Sequence, residues 1–492
     1  MPGNTIGLHV ASQMTGGARA SLALEALKQS KPITALSHTY NVSRKFIHQQ
    51  KTKAVNAVNR IFSEPINVLD DEKILFSIPV TKSWLKQTVV CLALHCRGSF
   101  RGIQKTILDL MDFPLSLGTI ENYYSESIES SQKINNSENL SDINLGAHDE
   151  MFDNNDPILT GIDINSLYCY LASKESHRDA DTWAIKLMEL QDRNFDPERI
   201  IADDGQGLRA GHQVVFPGVP CDGDVFHMIK KLMEMRLFFR NRLKGSITDR
   251  VNLEEQIYKS PEKLNLLIEM IEREKIMRYL SCTIDTLVNW MQFDILEKAG
   301  SDIKERQILY DFVVTELMKL EEIQAHRIKE VRVALQNQRD QLLSFVSVLD
   351  KKFEEIAGTY TISINTVWAM CELLRCKIGG DKYAIRSLPL QDFLDGKYDA
   401  VEDAVIVALS ETERTSCMIE NLHSRIKPYC LSRKYTDQRF LDLLRFYLNY
   451  TPFLRSDKAE RDGKSPAEIL FKKPHKNWLE MLGYRRFIRP AL

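Results

Sequence analysis

Apolar residues Ile33, Leu36, Val42, Phe46 and Ile47 recur at helical intervals, with a break from Tyr40 to Ser43. There Asn41 can turn the chain and Ser43 can cap a new helix. Residues 20–30 already have helical spacing, so residues 1–60 predict a helix-turn-helix. Its second helix would carry Arg44, Lys45, His48, Gln49, Gln50, Lys51 and Lys53, side chains able to reach phosphates or base edges in a major groove. A helical hairpin with a solvated basic face gives the same pattern. Residues 61–127 predict a second group of helices: one ending at Gly98, one over about 99–111 and one capped by Ser116. As the second of two tandem units it extends a DNA-contacting surface that includes Arg101.

The pattern changes after residue 127. Residues 128–145 are rich in Ser, Asn and acids and predict a linker. Beyond it, "INLGAHDEMF", "DPILTGIDINSLYCYLAS" and "ERIIADD" have the apolar or alternating runs of strands, with a turn at Asp156-Pro157 and a helix over about 181–193. Strands alternating with helices over 146–227 predict an α/β body. Residues 228–400 turn to long helical stretches with near-heptad spacing and dense mixed charge, an all-helical segment without visible chemistry. An amphipathic helix follows within 401–435, and a basic segment closes the chain over 436–492.

Composition adds a location and a partner class. The 492 residues are 43% hydrophobic and 27% charged, and no apolar run approaches the roughly 18 residues of a membrane helix. The N-terminus lacks a basic region followed by a sustained apolar segment, and nine scattered cysteines form no CxxC pair. These features predict a cytoplasmic chain with reduced thiols and no membrane contact. The net charge of −2 conceals an uneven distribution. Residues 1–60 hold eight Lys or Arg against Glu25 alone, and residues 421–492 hold sixteen against seven acids, so the middle is strongly acidic. Basic ends around an acidic centre suit a grip on a polyanion with carboxylates reserved for other work, although ordinary solvated charge gives the same totals.

Candidate chemistry lies in three acidic positions. Asp149 is within the first α/β strand, Asp203-Asp204 ends a later one, and Glu420 lies on the helix after the long helical segment. Carboxylates gathered at strand ends repel one another unless divalent cations neutralise them, and hard oxygen ligands select Mg²⁺ or Mn²⁺. Two such ions about 3.5 to 4 Å apart activate a water or a 3′-hydroxyl and stabilise the leaving oxygen of a phosphodiester. Asp163 and Glu150 are rival ligands, but Glu150 should face the opposite side of its strand from Asp149.

The order of helix-turn-helix units, Asp, Asp and a distant Glu resembles DDE transposases. The blocks "HDEMF", "IIADDGQ", "FPGVPCDGDVFHMIKKL", "SCMIENLHSRIKPYCLSRK" and "LLRFYLNYTPFLRSDKAERDGKSPAEIL" are similar to those of bacterial insertion-sequence transposases, as is "RGSFRGIQKTILDLMDFPLSLGTIENYY" upstream. The resemblance implies an α/β RNase H-like catalytic core with a large all-α insertion, preceded by helix-turn-helix DNA-binding units. It makes Asp149, Asp204 and Glu420 the catalytic, metal-binding acids, with Asp204 preferred to Asp203 because glycine follows it. Asp203 would then face a helix or solvent. "DVFH", Asp224 to His227, matches a C/D-x-x-H signature and supplies Asp224 and His227 as active-site support. Arg425, Lys427, Arg433 and Lys434 form a positive run beside the site, suited to a DNA backbone. The implied cofactors are two Mg²⁺ or Mn²⁺ ions. The implied partners are double-stranded DNA at transposon ends and target, a homo-oligomer assembled on DNA, and the nucleoid as location when bound. A DNA-binding regulator derived from such an enzyme, with a silent core, is the alternative.

Overall fold

The computed structural model describes residues 11, 13–62, 76–257, 260–433, 436–456 and 458–488. The chain divides between Pro79 and Val80 into two compact units.

The first unit contains helices α1 (Gly16–Lys28), α2 (Ile33–Tyr40) and α3 (Arg44–Phe62). Leu22, Ala26, Leu36, Val42 and Ile47 form its small core, with Ile33 and Phe46 at the edge. Asn41 takes the left-handed conformation at φ 50°, and the Ser43 hydroxyl accepts the Phe46 amide at 3.1 Å to start α3. The turn is locked when the Ser37 hydroxyl donates to the Val42 carbonyl at 2.6 Å. Lys45, His48, Gln49 and Thr52 share an exposed stripe at helical spacing, and Arg44 is exposed beside it. Two expected contact residues differ: Gln50 is buried and Lys51 half-buried, because their positions turn toward the core side of α3.

The second unit opens with α4 (Lys82–Leu94), α5 (Phe100–Met111) and α6 (Leu117–Ser137), each started by a hydroxyl cap from Thr81, Ser99 and Ser116. Helix α6 runs through most of the segment expected to be a linker. Three polar residues on its inner side, Ser127, Ser131 and Asn135, are buried with partners, while Glu129, Lys133, Asn136 and Ser137 stay exposed. The Ser127 hydroxyl bonds Tyr484, Ser131 donates to the Ile128 carbonyl, and the Asn135 amide donates to the Asp442 carbonyl. Satisfied polar groups can line a packed face, which composition alone does not reveal. Leu85, Val89, Ile103 and Ile120 of this helical group share one core with the sheet, so the expected second DNA-binding unit is not detached from the α/β body.

The sheet has strands β1 (Leu145–Asp153), β2 (Asp156–Asp163), β3 (Cys169–Lys174), β4 (Arg199–Ala202) and β5 (Cys221–Gly223) in the order β3-β2-β1-β4-β5. The first three strands form an antiparallel meander, and β4 and β5 run parallel to β1. The parallel crossovers use α7 (Ala180–Gln191) and α8 (Gln206–Val215). These two helices approach closely at Gly211, where a Cβ would lie 2.6 Å from the Trp183 Cβ.

Helices α9 (Val225–Ile257), α10 (Leu264–Asn289), α11 (Ile303–Ile323), α12 (Ile328–Tyr360), α13 (Ile364–Leu373), α14 (Asp381–Leu394) and α15 (Tyr398–Glu411) follow directly from β5. They enclose a separate apolar core, and no strand occurs among their described residues. Helix α12 covers β5, where Gly223 leaves room for Leu342.

The chain returns to the sheet with α16 (Cys417–Leu431) on β1 and β2. Next come α17 (Gln438–Tyr450), α18 (Pro466–Phe471) and α19 (Trp478–Met481). The basic closing segment is therefore partly core. Phe440, Leu441, Leu443, Leu444 and Phe446 of α17 are buried, and Asn449 bonds both the amide and carbonyl of Cys169 at 2.8 Å. That pairing satisfies backbone groups at the edge strand β3. No helix among the described residues is long and apolar enough to cross a membrane.

Candidate metal centre

Asp149 sits mid-β1 and is buried. Its Oδ1 accepts the Glu150 amide at 2.7 Å, while Oδ2 faces His423 of α16, whose Nδ1 is 3.8 Å away. Burial pushes the Asp149 carboxyl up to about 7; the charges of Asp203 and Glu420 add to the rise, and the Glu150 amide and His227 oppose it.

Three further groups reach this carboxylate because β4, β5 and α16 end around it. Asp224 follows β5 and caps α9, its Oδ1 accepting the Phe226 amide at 2.8 Å. Its Oδ2 holds the His227 Nδ1 at 2.6 Å and accepts the Ser416 hydroxyl. Burial alone would raise the Asp224 carboxyl, but the hydrogen bonds from His227 and Ser416 outweigh it and hold the carboxyl below its ordinary value. His227 is raised, chiefly by its bond to Asp224, against the opposing effect of burial. Its Nε2 lies 3.5 Å from Glu420 Oε1 in the first turn of α16. Ligand atoms of Asp149, His227 and Glu420 all lie within 4.8 Å of one another.

Asp224→Asn keeps the cap but removes the charge that orients and protonates His227. The expected result is a lower His227 pKa, followed by NMR of the imidazole; an unchanged titration would mean that another group sets it.

The second aspartate departs from expectation. Parallel pairing sets Ala147 beside Ile201 and His148 beside Ala202, so the next pair in register is Asp149 and Asp203. Residues paired across parallel strands point to one face, and Asp203 accordingly acts electrostatically on both Asp149 and His227. Asp204 is instead exposed, with Oδ2 3.9 Å from Lys231 of α9. Glycine after Asp204 serves a different purpose: the Gly205 amide donates to Asp203 Oδ1 at 2.9 Å as the chain turns into α8. Arg209 fixes this end of β4 by donating to the Asp203 carbonyl at 2.8 Å and the Ala202 carbonyl at 3.0 Å.

The rival acids have structural partners. Glu150 points to the other face, accepting Trp183 Nε1 at 2.9 Å and Arg178 at 2.7 Å. Asp163 closes a turn by accepting the Ser166 amide at 2.7 Å. Among the expected DNA-facing cations, Arg101 and Lys427 are exposed. Arg425 is half-buried near Cys169, Tyr429 and Tyr447, and Arg433 lies 3.8 Å from the Phe440 ring centroid and bonds the Tyr124 hydroxyl. Those two therefore hold the fold, since a stacked or buried guanidinium is not free to track a backbone. Lys434 lies outside the described residues.

Sequence reasoning missed Thr160, His423 and Ser416. For His423 a signal existed: it lies three residues after Glu420, hence on a neighbouring face of the same helix. Thr160 and Ser416 had none.

The donors fit a divalent cation. A buried carboxylate, Asp149, and a half-exposed one, Glu420, converge with a histidine, and His227 has its far nitrogen oriented by a carboxylate, as in metal-bound histidines. No protein-family model matches the chain, and no curated protein matches it.

Proposed function

We propose that this chain is a DDE-type DNA transposase with an RNase H-like catalytic core. It binds the ends of its element through the N-terminal helix-turn-helix and catalyses metal-dependent strand cleavage and strand transfer as a homo-oligomer on DNA. The observation that carries this reading is the cluster of Asp149, His227 and Glu420, from β1, α9 and α16, with Asp203 at the end of β4 acting on Asp149 through its charge and the helical body inserted between β5 and α16. The strand order, an antiparallel meander continued by two parallel strands, supports the RNase H-like assignment. Asp203 takes the role that the sequence resemblance gave to Asp204.

Asp149, Asp203 and Glu420 would hold two Mg²⁺ or Mn²⁺ ions, which when bound supply a Lewis acid and a deprotonated nucleophile. The chain's own residues do the positioning. Arg209 and Gly205 fix the backbone and carboxylate of Asp203, and Asp224 and Ser416 tie the start of α9 to the start of α16 so that Glu420 meets β1. The Asp224 carboxylate orients His227 through Nδ1 and turns its Nε2 toward Glu420. Lys427 and Lys231 flank the site and suit the phosphates of an entering strand.

The direct test is a cleavage assay on DNA flanking the gene, with and without Mg²⁺ or Mn²⁺. Binding without cleavage under both ions would favour the regulator reading. DNA binding itself is tested in the full chain: Arg44→Ala and Lys45→Ala should each weaken binding to all sequences and lower its salt slope by about 0.9 per lost phosphate contact. Gln49→Ala should relax sequence preference with little change in that slope. Unchanged binding in all three variants would remove α3 from the interface.

A further inference from the structure

We propose that His423 is a nitrogen ligand of the metal held by Asp149, so that the centre prefers Mn²⁺ to Mg²⁺. The proposal rests on the metal-centre reading above and deepens it.

The hydrogen bonds decide which nitrogen is available. The Thr160 hydroxyl donates its single proton to the Asp149 carbonyl at 2.8 Å. Its contact with His423 Nε2, also 2.8 Å, must then use the ring N–H as donor. A neutral ring with its proton on Nε2 has its lone pair on Nδ1, and Nδ1 is the atom facing Asp149 Oδ2.

Two electron-rich atoms thus face each other 3.8 Å apart, too far for a hydrogen bond. His227, whose Nδ1 is turned to Asp224, likewise presents Nε2 to Glu420 Oε1 at 3.5 Å. Two ligands bound to one ion at about 2.1 Å are separated by roughly 3 to 4 Å. Both gaps fall in that range. The tautomer of each histidine is fixed by an oxygen on its far side, Thr160 for His423 and Asp224 for His227. Mixed nitrogen and oxygen donors favour Mn²⁺ over Mg²⁺, which prefers oxygen and water.

The test is Mn²⁺ binding to the full-length protein, followed by electron paramagnetic resonance with ¹⁴N modulation, and competition by Mg²⁺. Wild type is expected to bind Mn²⁺ with coupling to two histidine nitrogens and to require at least about tenfold more Mg²⁺ to displace it. His423→Ala should lose one coupling and bind at least about tenfold more weakly; His227→Ala should lose the other. Thr160→Val keeps the ring but frees its tautomer, and should weaken Mn²⁺ binding severalfold; it decides the case if His423→Ala fails to fold. Wild-type affinity and both nitrogen couplings in His423→Ala would overturn the role of His423 while leaving the metal centre intact. No Mn²⁺ binding by folded wild type at millimolar concentration would overturn the metal centre itself.

Discussion

Asp203→Asn is expected to reduce metal-dependent DNA cleavage by at least about a thousandfold, whereas Asp204→Asn should stay within about tenfold of wild type. The two residues are neighbours, so the contrast tests geometry and not mere charge near the site. Strand parity puts Asp203 on the Asp149 face through the β1–β4 register, and the Gly205 amide anchors its Oδ1. Asp204 leaves the strand toward Lys231 and solvent. Both variants should bind DNA like wild type, because binding is assigned to the N-terminal unit. Loss of cleavage in Asp204→Asn with retention in Asp203→Asn would return the catalytic role to Asp204 and show that the chain rearranges after Ala202.

Asp149→Asn is expected to abolish cleavage and at the same time to stabilise the metal-free protein at pH 8. Its folded pKa, about 7, lies above the ordinary aspartate value near 4, so the folded state holds the extra proton between those limits. Stability contributed by that proton is present at low pH and is lost as pH rises through 7. Above it, a charged carboxylate remains buried beside Asp203 and Glu420. Asparagine has the same shape without the charge, and the gain is about 2 to 4 kcal/mol at pH 8. Thermal unfolding with a chelator should show the variant melting higher than wild type at pH 8 and close to it at pH 5. Millimolar Mn²⁺ should raise the wild-type midpoint and leave the variant unmoved. An Asp149→Asn midpoint below wild type at pH 8 would mean that the carboxylate is compensated without metal.

Local signals determined much of this protein. Helical spacing, Asn41 and Ser43 sufficed for the helix-turn-helix, because capping and a left-handed turn act over a few residues. The apolar stripe of Ile419, Leu422 and Ile426 announced the helix that carries Glu420, and all three are buried as that stripe requires. Alternation along β1 separated Asp149 from Glu150, since side-chain direction in a strand has a period of two. What the sequence left open depends on partners far along the chain. Helix α6 continues into the polar run after residue 127, where Asn135 donates to the Asp442 carbonyl and Gln132 to the Asp442 carboxylate, partners far along the chain. Arg433 looked like a DNA contact until the Phe440 ring stacked on it. The choice between Asp203 and Asp204 needed the inter-strand register, a long-range quantity that no local glycine context encodes. The direction of the His423 lone pair was set by Thr160, 263 positions away, because a tautomer is fixed by the hydrogen bond on the other side of the ring.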